Sequence, residues 1–320
     1  MRGFPISSNG AQPNPNANTA SSGRGPLRAL AYPQFRLFWF ASLASIVSFF
    51  MTMIARGWLV LEMTDSPFMV GMSMAARMAP LFFLGILSGA VADRVDRRIF
   101  LRFITLGGSV AAGGMAVILY LDVVQVWHVM TLAVATGCIW VFVMTVRQAY
   151  TFDIVGPEKA MNGLALSSMS MQVGGIVGSI LAGVIINYIG VAGQYVAVAA
   201  TSVAATAALL ATRHAGQAAS RELESVLRSL LGYISLIRQN QTLMTLMILA
   251  AATEIFGFSH MSLLPVFARD VLGVGAVGLG LMTAVRQVGG MLGLIALANL
   301  GDFKRKGQLM FALAIAFGLG

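Results

Sequence analysis

Acidic side chains are scarce: 12 Asp and Glu stand against 21 Lys and Arg in 320 residues. Charged residues of both signs make up only 10%, while hydrophobic ones reach 58%. A soluble domain carries roughly 25% charge, so this chain lacks the charged coat that a solvated surface requires. The single cysteine, Cys138, excludes a disulfide scaffold and says nothing of redox compartment. Three histidines and no Cys/His spacing give no metal site. No GxSxG, no phosphate-cradling GxxxxGK[ST] and no soluble nucleotide domain is present, so no enzyme activity and no cofactor is expected. The remaining class is a polytopic membrane protein.

Long apolar runs, in contrast, are abundant. A helix crossing the hydrocarbon core needs about 20 of them in a row. Eight runs qualify: 37–61, 68–91, 99–121, 124–146, 164–186, 190–212, 243–267 and 274–300. They do not alternate with period two, so they read as helices and not barrel strands. A ninth begins near 307 and stops 13 residues later; the expectation is a chain cut inside a helix. Residues 1–33, rich in Ser, Asn and Pro, read as a disordered cytoplasmic tail. From Ser220, Leu223, Val226, Leu227, Leu230, Leu231, Ile234 and Ile237 recur at helical spacing. The segment 213–241 is therefore expected to be a cytoplasmic amphipathic linker. It separates an N-terminal six-helix bundle, 34–212, from an incomplete C-terminal bundle, 242–320.

The net charge of +9 raises the question of a polyanion partner. Its distribution answers it. With loops numbered alternately from the tail, 17 of the 21 basic residues fall on the tail's side and only Arg269 on the other. The remaining three, Arg56, Arg77 and Arg286, lie inside spans. Retention of Lys and Arg on the cytoplasmic side sets topology. The excess is explained without nucleic acid, and it places the N-terminus in the cytoplasm of a protein in the plasma (cell inner) membrane.

Aligning Asp93 with Asp302, an offset of 209, also aligns Gly71 with Gly280, Ala75 with Ala284, Arg77 with Arg286 and Ile86 with Ile295. In both halves an arginine sits mid-span and an aspartate opens a basic loop. Parallel repeats of this kind suit a transporter whose site lies between two pseudo-symmetric halves.

Between the second and third spans runs Gly89-Ala-Val-Ala-Asp93-Arg94-Val-Asp96-Arg97-Arg98. This resembles the loop signature of the major facilitator superfamily. The stretch Gly57 to Pro67, Arg147-Gln148-Ala149 and Leu264-Pro265-Val266-Phe267-Ala268 are similar to its drug and siderophore exporter branch. The resemblance covers about residues 34–320 and implies a twelve-helix bundle, of which eight full helices and a truncated ninth stand here. It implies that Gly89, Asp93, Arg94, Arg97 and Arg98, with a degenerate copy at Asp302, form a conformational gate. Arg147, at the inner end of the fourth span, is the candidate partner of Asp93. Gly89 is expected to let two helices approach closely. Two departures are visible. Serine stands at Ser179, where the family's fifth helix often has proline, in the run Gly174-Gly175-Ile-Val-Gly178-Ser179-Ile-Leu-Ala182-Gly183. No arginine lies near the outer end of the fourth span.

Ionisable groups within a span cost a few kcal/mol by insertion scales and are functional candidates by default. Glu254 lies about eleven residues into the seventh span, near the midplane. The resemblance puts helices 1 and 7 on the central cavity, so Glu254 is the candidate proton or cation carrier. A static pair with Arg286 is the alternative. Arg77 and Arg286 are further candidates for substrate or proton. Arg56, nearer the outer end, is expected to snorkel outward or pair with Glu62. His260 reads as a satisfied polar residue. The sequence thus points to proton-coupled efflux of amphipathic small molecules, of drug, macrolide or siderophore type, by a monomer. Uptake of a metabolite, flipping of a lysophospholipid, or a non-transporting sensor or scaffold remain as alternatives.

Overall fold

The computed structural model describes residues 32–156, 160–212, 239–257, 260–300 and 306–319. These form helices and short links; no strand occurs among them. The tail, most of the linker (213–238) and Asp302, Lys304 and Arg305 lie outside the described residues.

Helix α1 spans Pro33–Thr64 and α2 spans Pro67–Ala92. Each begins with proline in the first turn, where its missing N–H is not needed. Between them Asp65 takes the left-handed region (φ 48°) and its N–H returns to the Leu61 carbonyl at 2.9 Å. Ser66 then caps α2 by accepting from the Met69 N–H. Helix α3 spans Arg97–Tyr120, and its cap is Asp96, which accepts from the N–H groups of Arg98 and Ile99. The second acid of the loop signature is therefore a helix cap. Helix α4 spans Val126–Val155.

Helix α5 runs from Ala160 to Ala211. Straight, its 52 residues would reach about 78 Å, more than twice the hydrocarbon thickness. It breaks at Gly190, whose φ of 81° glycine adopts without Cβ strain. The chain turns back there. On the first arm Gly178 meets Val47 and Phe50 of α1; on the second, Gln194 reaches the Met51 carbonyl and Ser202 reaches Ser48. The returning arm ends at a cap from another helix. Arg102 of α3 donates to the carbonyls of Leu209, Leu210 and Thr212 at 3.0, 3.0 and 2.7 Å.

After the linker, α6 (Gln241–Ala252) continues into a π-helical turn, Thr253–Gly257. Helix α7 (His260–Val266) likewise runs into a π turn, Phe267–Val271. Helices α8 (Gly275–Leu300) and α9 (Lys306–Leu319) follow. Six helices among the described residues are long and apolar enough to cross a membrane, with residues 162–211 counted as one.

Helix α1 is the core of the first group, flanked by both arms of α5. Apolar side chains cluster at two levels. One contains Phe35, Phe38, Leu101, Val146 and Tyr150, near the face that carries residues 89–98 (the motif face). The other contains Met51, Ile54, Leu61, Val129 and Leu279, toward the far face. Small residues bring α5 against α8. A Cβ on Gly183 would stand 2.6 Å from the Ala276 carbonyl oxygen, and one on Gly280 would stand 2.5 Å from that of Ser179. Gly175 meets Gln287 and Gly290 meets Gln172 on the same line. As one number rises the other falls, so the two helices cross antiparallel with backbones nearly touching. Outside, large apolar side chains are bare: Phe82 and Phe83 are each 81% exposed. Acyl chains cover such a surface in a bilayer.

Candidate functional site

The helices enclose a cavity of about 100 Å³ between α1, α2, α3, α4 and the returning arm of α5. Its walls are apolar and aromatic with a few polar groups. Arg77 of α2 and Arg147 of α4 both line it, and they are 4% and 8% exposed. The Arg77 guanidinium lies over the Phe49 ring at 4.4 Å, and Phe49 stacks on Trp140 at 3.7 Å. That deck offers the guanidinium a cation–π contact. Gly137 of α4 packs onto the Arg77 backbone carbonyl and beside Pro80, so α4 holds α2 at this level.

The polar groups divide in two. Ser45, Thr52, Thr105 and Thr136 donate to carbonyls of their own helices, as hydroxyls in spans commonly do. Among the described residues, Arg77 Nη2, Arg147 Nη1 and the Tyr195 hydroxyl are buried and have no hydrogen-bond partner. Arg147 Nη2 meets the Met144 sulfur, at 3.4 Å. Among the described residues no carboxylate lines the cavity.

A second, smaller cavity of about 30 Å³ lies toward the far face, between α1 and α2 on one side and α7 and α8 on the other. Arg56 lines it and is 2% exposed. It neither snorkels nor pairs with Glu62, contrary to expectation. Glu62 lies six residues on and accepts instead from Trp58 Nε1, one turn back, at 2.6 Å. Arg56 Nη2 meets the Met74 sulfur at 3.6 Å, while its Nε and Nη1 have no hydrogen-bond partner among the described residues.

At the motif face the expected pair of Asp93 with Arg147 is not formed. Arg97 takes both roles: it lies 3.6 Å from Asp93 and donates to Asp153 at 2.6 Å. Its Nε also donates to the Ala92 carbonyl at 3.0 Å. Arg147, six residues before Asp153 on α4, points into the cavity. The close approach expected at Gly89 is also absent, since a Cβ there would meet nothing within 4 Å among the described residues. Gly137 makes the close contact between α2 and α4, and the Ser88 and Thr145 hydroxyls join the same helices at 2.9 Å. Arg94 is exposed and Arg98 half-buried. Sequence reasoning passed over Asp153, Phe49, Trp140 and Tyr195.

Among the later helices, Glu254 falls within the π turn Thr253–Gly257; its side chain lies outside the described residues. His260 Nδ1 is 2.5 Å from the Gly257 carbonyl oxygen. Arg286 is half-buried on α8 and its Nε has no hydrogen-bond partner among the described residues. At the far face Arg269 donates to Asp65, to the Leu61 carbonyl at 3.1 Å and to Asp270 at 2.6 Å. The end of α1 is thereby tied to the turn that follows α7. Among the described residues no three His, Cys, Asp or Glu side chains are grouped as metal ligands.

Residues 22–319 match the family described as transmembrane secretion effector, MFS_3. The chain belongs to this family of major facilitator superfamily transporters. The chain is 24% identical over 282 residues to the enterobactin exporter EntS of Shigella flexneri, covering 87% of this chain and 66% of the exporter. In fold it is similar to a bacterial homologue of the human lysosomal transporter Spinster, solved inward-facing and unoccupied. That likeness has a TM-score of 0.65 at 17% identity, covering 85% of this chain and 63% of the other. The chain thus spans a little under two thirds of each relative's length. As a member of the superfamily it is a multi-pass membrane protein.

Proposed function

We propose that the protein is a proton-coupled exporter of amphipathic small molecules of drug, macrolide or siderophore type, working by alternating access. The observation that carries this reading is the cavity walled by five helices, which combines aromatic rings with buried polar groups and, at about 100 Å³, holds a ring-sized part of such a solute. An amphipathic solute needs both kinds of wall. The likeness to an enterobactin exporter agrees with outward transport.

In this reading the N-terminus is cytoplasmic and the protein works as a monomer in the cell inner membrane. Glu254 carries the proton, as an ionisable group within a span is a functional candidate, and Arg286 and Arg77 are the further candidates for substrate or proton. Asp93, Arg97 and Asp153 form the latch on the motif face, with Arg94 and Arg98 beside it and Asp302 as its counterpart in the second half.

The test is efflux of a fluorescent dye, a macrolide and a catecholate siderophore from cells that express the full-length protein. Expected is export that collapses with an uncoupler and a pH dependence that flattens in Glu254→Gln. Wild-type export by Glu254→Gln with unchanged pH dependence would remove the coupling role. No export of any of the three would remove the proposal.

A further inference from the structure

We infer that the cavity between Arg77 and Arg147 is an anion site, which takes a carboxylate, phenolate or phosphate carried on an apolar, preferably aromatic body. The inference rests on the transport reading only for its biological use; the site itself stands on its own geometry.

Two guanidiniums line one cavity inside a membrane protein and no carboxylate lines it with them. Each is more than nine-tenths buried and each has an N–H without an acceptor. Tyr195 lines the same space, and its hydroxyl has no hydrogen-bond partner among the described residues. Buried cations normally have a paired anion, because removing charge from water is costly. A structural role would have brought an acid, as Asp153 is brought to Arg97 at the motif face. Here the counter-charge is missing and the space for it is present. The unsatisfied groups are donors, so the complement is an acceptor, and two arginines call for a negative one.

The remaining walls say what carries the charge. Phe49 and Trp140 form a stacked deck beneath Arg77, and Val143 and Ile139 continue it. A flat apolar body fits these walls while its anionic group meets the guanidinium of Arg77 or of Arg147. A cationic amphiphile would face two like charges and no acid, so the site selects against it.

The probes are benzoate, benzamide and benzylamine, which share a ring and differ in charge. Binding to the full chain is measured in phosphatidylcholine nanodiscs. Benzoate is expected to bind about tenfold tighter than benzamide, as a charge-assisted hydrogen bond exceeds a neutral one, with benzylamine weakest. Arg77→Gln and Arg147→Gln should each lose the preference, Arg77→Lys should keep part of it, and the exposed Arg36→Gln should leave it unchanged. Arg147→Met guards against misfolding: removal of an unpaired buried charge should hold or raise the melting temperature while the preference vanishes. Equal binding of benzoate and benzamide, tightest binding of benzylamine, or an unchanged preference in Arg147→Gln would each overturn the site. Repeating the measurement in phosphatidylglycerol nanodiscs identifies the occupant. Competition there assigns the site to a lipid headgroup, and its absence assigns it to a solute; both outcomes keep the site. Benzoate selectivity in a protein that exports nothing would sink the transport reading alone. Export of neutral drugs without anion preference would sink the site alone.

Discussion

Arg97 Nη1 donates to Asp153 Oδ1 at 2.6 Å, so the first residue of α3 grips the last turn of α4. The side chains are 9% and 11% exposed, and the same guanidinium lies 3.6 Å from Asp93 beyond α2. One cation thus holds three helix ends. Arg97→Ala would leave Asp153 buried with no counter-charge, a loss of about 3 kcal/mol. The melting temperature should fall clearly. Arg97→Met with Asp153→Leu should recover most of it, because the charges leave together. A double mutant no better than Arg97→Ala would mean the pair contributes little.

Gly137 is expected to tolerate no larger residue. A Cβ there meets the Arg77 carbonyl oxygen, which is backbone and has no rotamer to escape to. Gly137→Val should destabilise the protein by at least about 3 kcal/mol, at the upper end for overpacking. Gly89→Ala, with nothing within 4 Å among the described residues, should be silent. Thermal unfolding in detergent compares the two.

Arg56→Met should stabilise. The substitution removes two unpartnered buried N–H groups and places an apolar chain beside Met74. Replacing uncompensated buried charge by apolar side chains of similar volume gains about 1–4 kcal/mol. A lower melting temperature would show that Arg56 has a partner in the membrane.

Arg269→Ala should loosen the far face more than it lowers stability. The Arg269 and Asp65 side chains are 27% and 84% exposed, and exposed pairs contribute about 0–1 kcal/mol. Such a change still alters a two-state ratio up to about fivefold. A cysteine at Ser73, buried beside the smaller cavity, reports it once Cys138 is replaced by alanine. Its labelling by a small maleimide should speed up several-fold in Arg269→Ala. Equal rates would show that the pair does not hold this face shut.

Hydropathy located most of the membrane helices, since length and apolarity are one-dimensional properties, but α4 runs nine residues past the expected 146, and the expected span 243–267 is divided among α6, α7 and two π turns among the described residues. The small side chains from Gly174 to Gly183 are the sequence signal of the packing surface that α5 turns to α1 and α8. Partners were not legible. Asp153 and Arg97 are 56 residues apart and meet only because α3 starts where α4 ends. Arg147 was assigned to the gate by position along the helix, and its direction around the helix decided otherwise. A signal for the cavity did exist. Ser45, Ser48, Phe49, Thr52 and Met53 form one stripe of α1 at helical spacing, and Thr136, Trp140, Val143 and Arg147 form another on α4. Polar stripes on otherwise apolar helices mark faces turned from lipid.

The line along which α5 meets α8 has a mechanical meaning. Side chains act as springs between ordinary helices, but at Gly183 and Gly280 there is almost nothing to compress. Sliding would drive a carbonyl into a backbone, and separation would open a void. Rolling about the shared seam costs least. Any rearrangement between the early and late helices should therefore behave as an axle turning in place, with the largest displacements at the ends most distant from it.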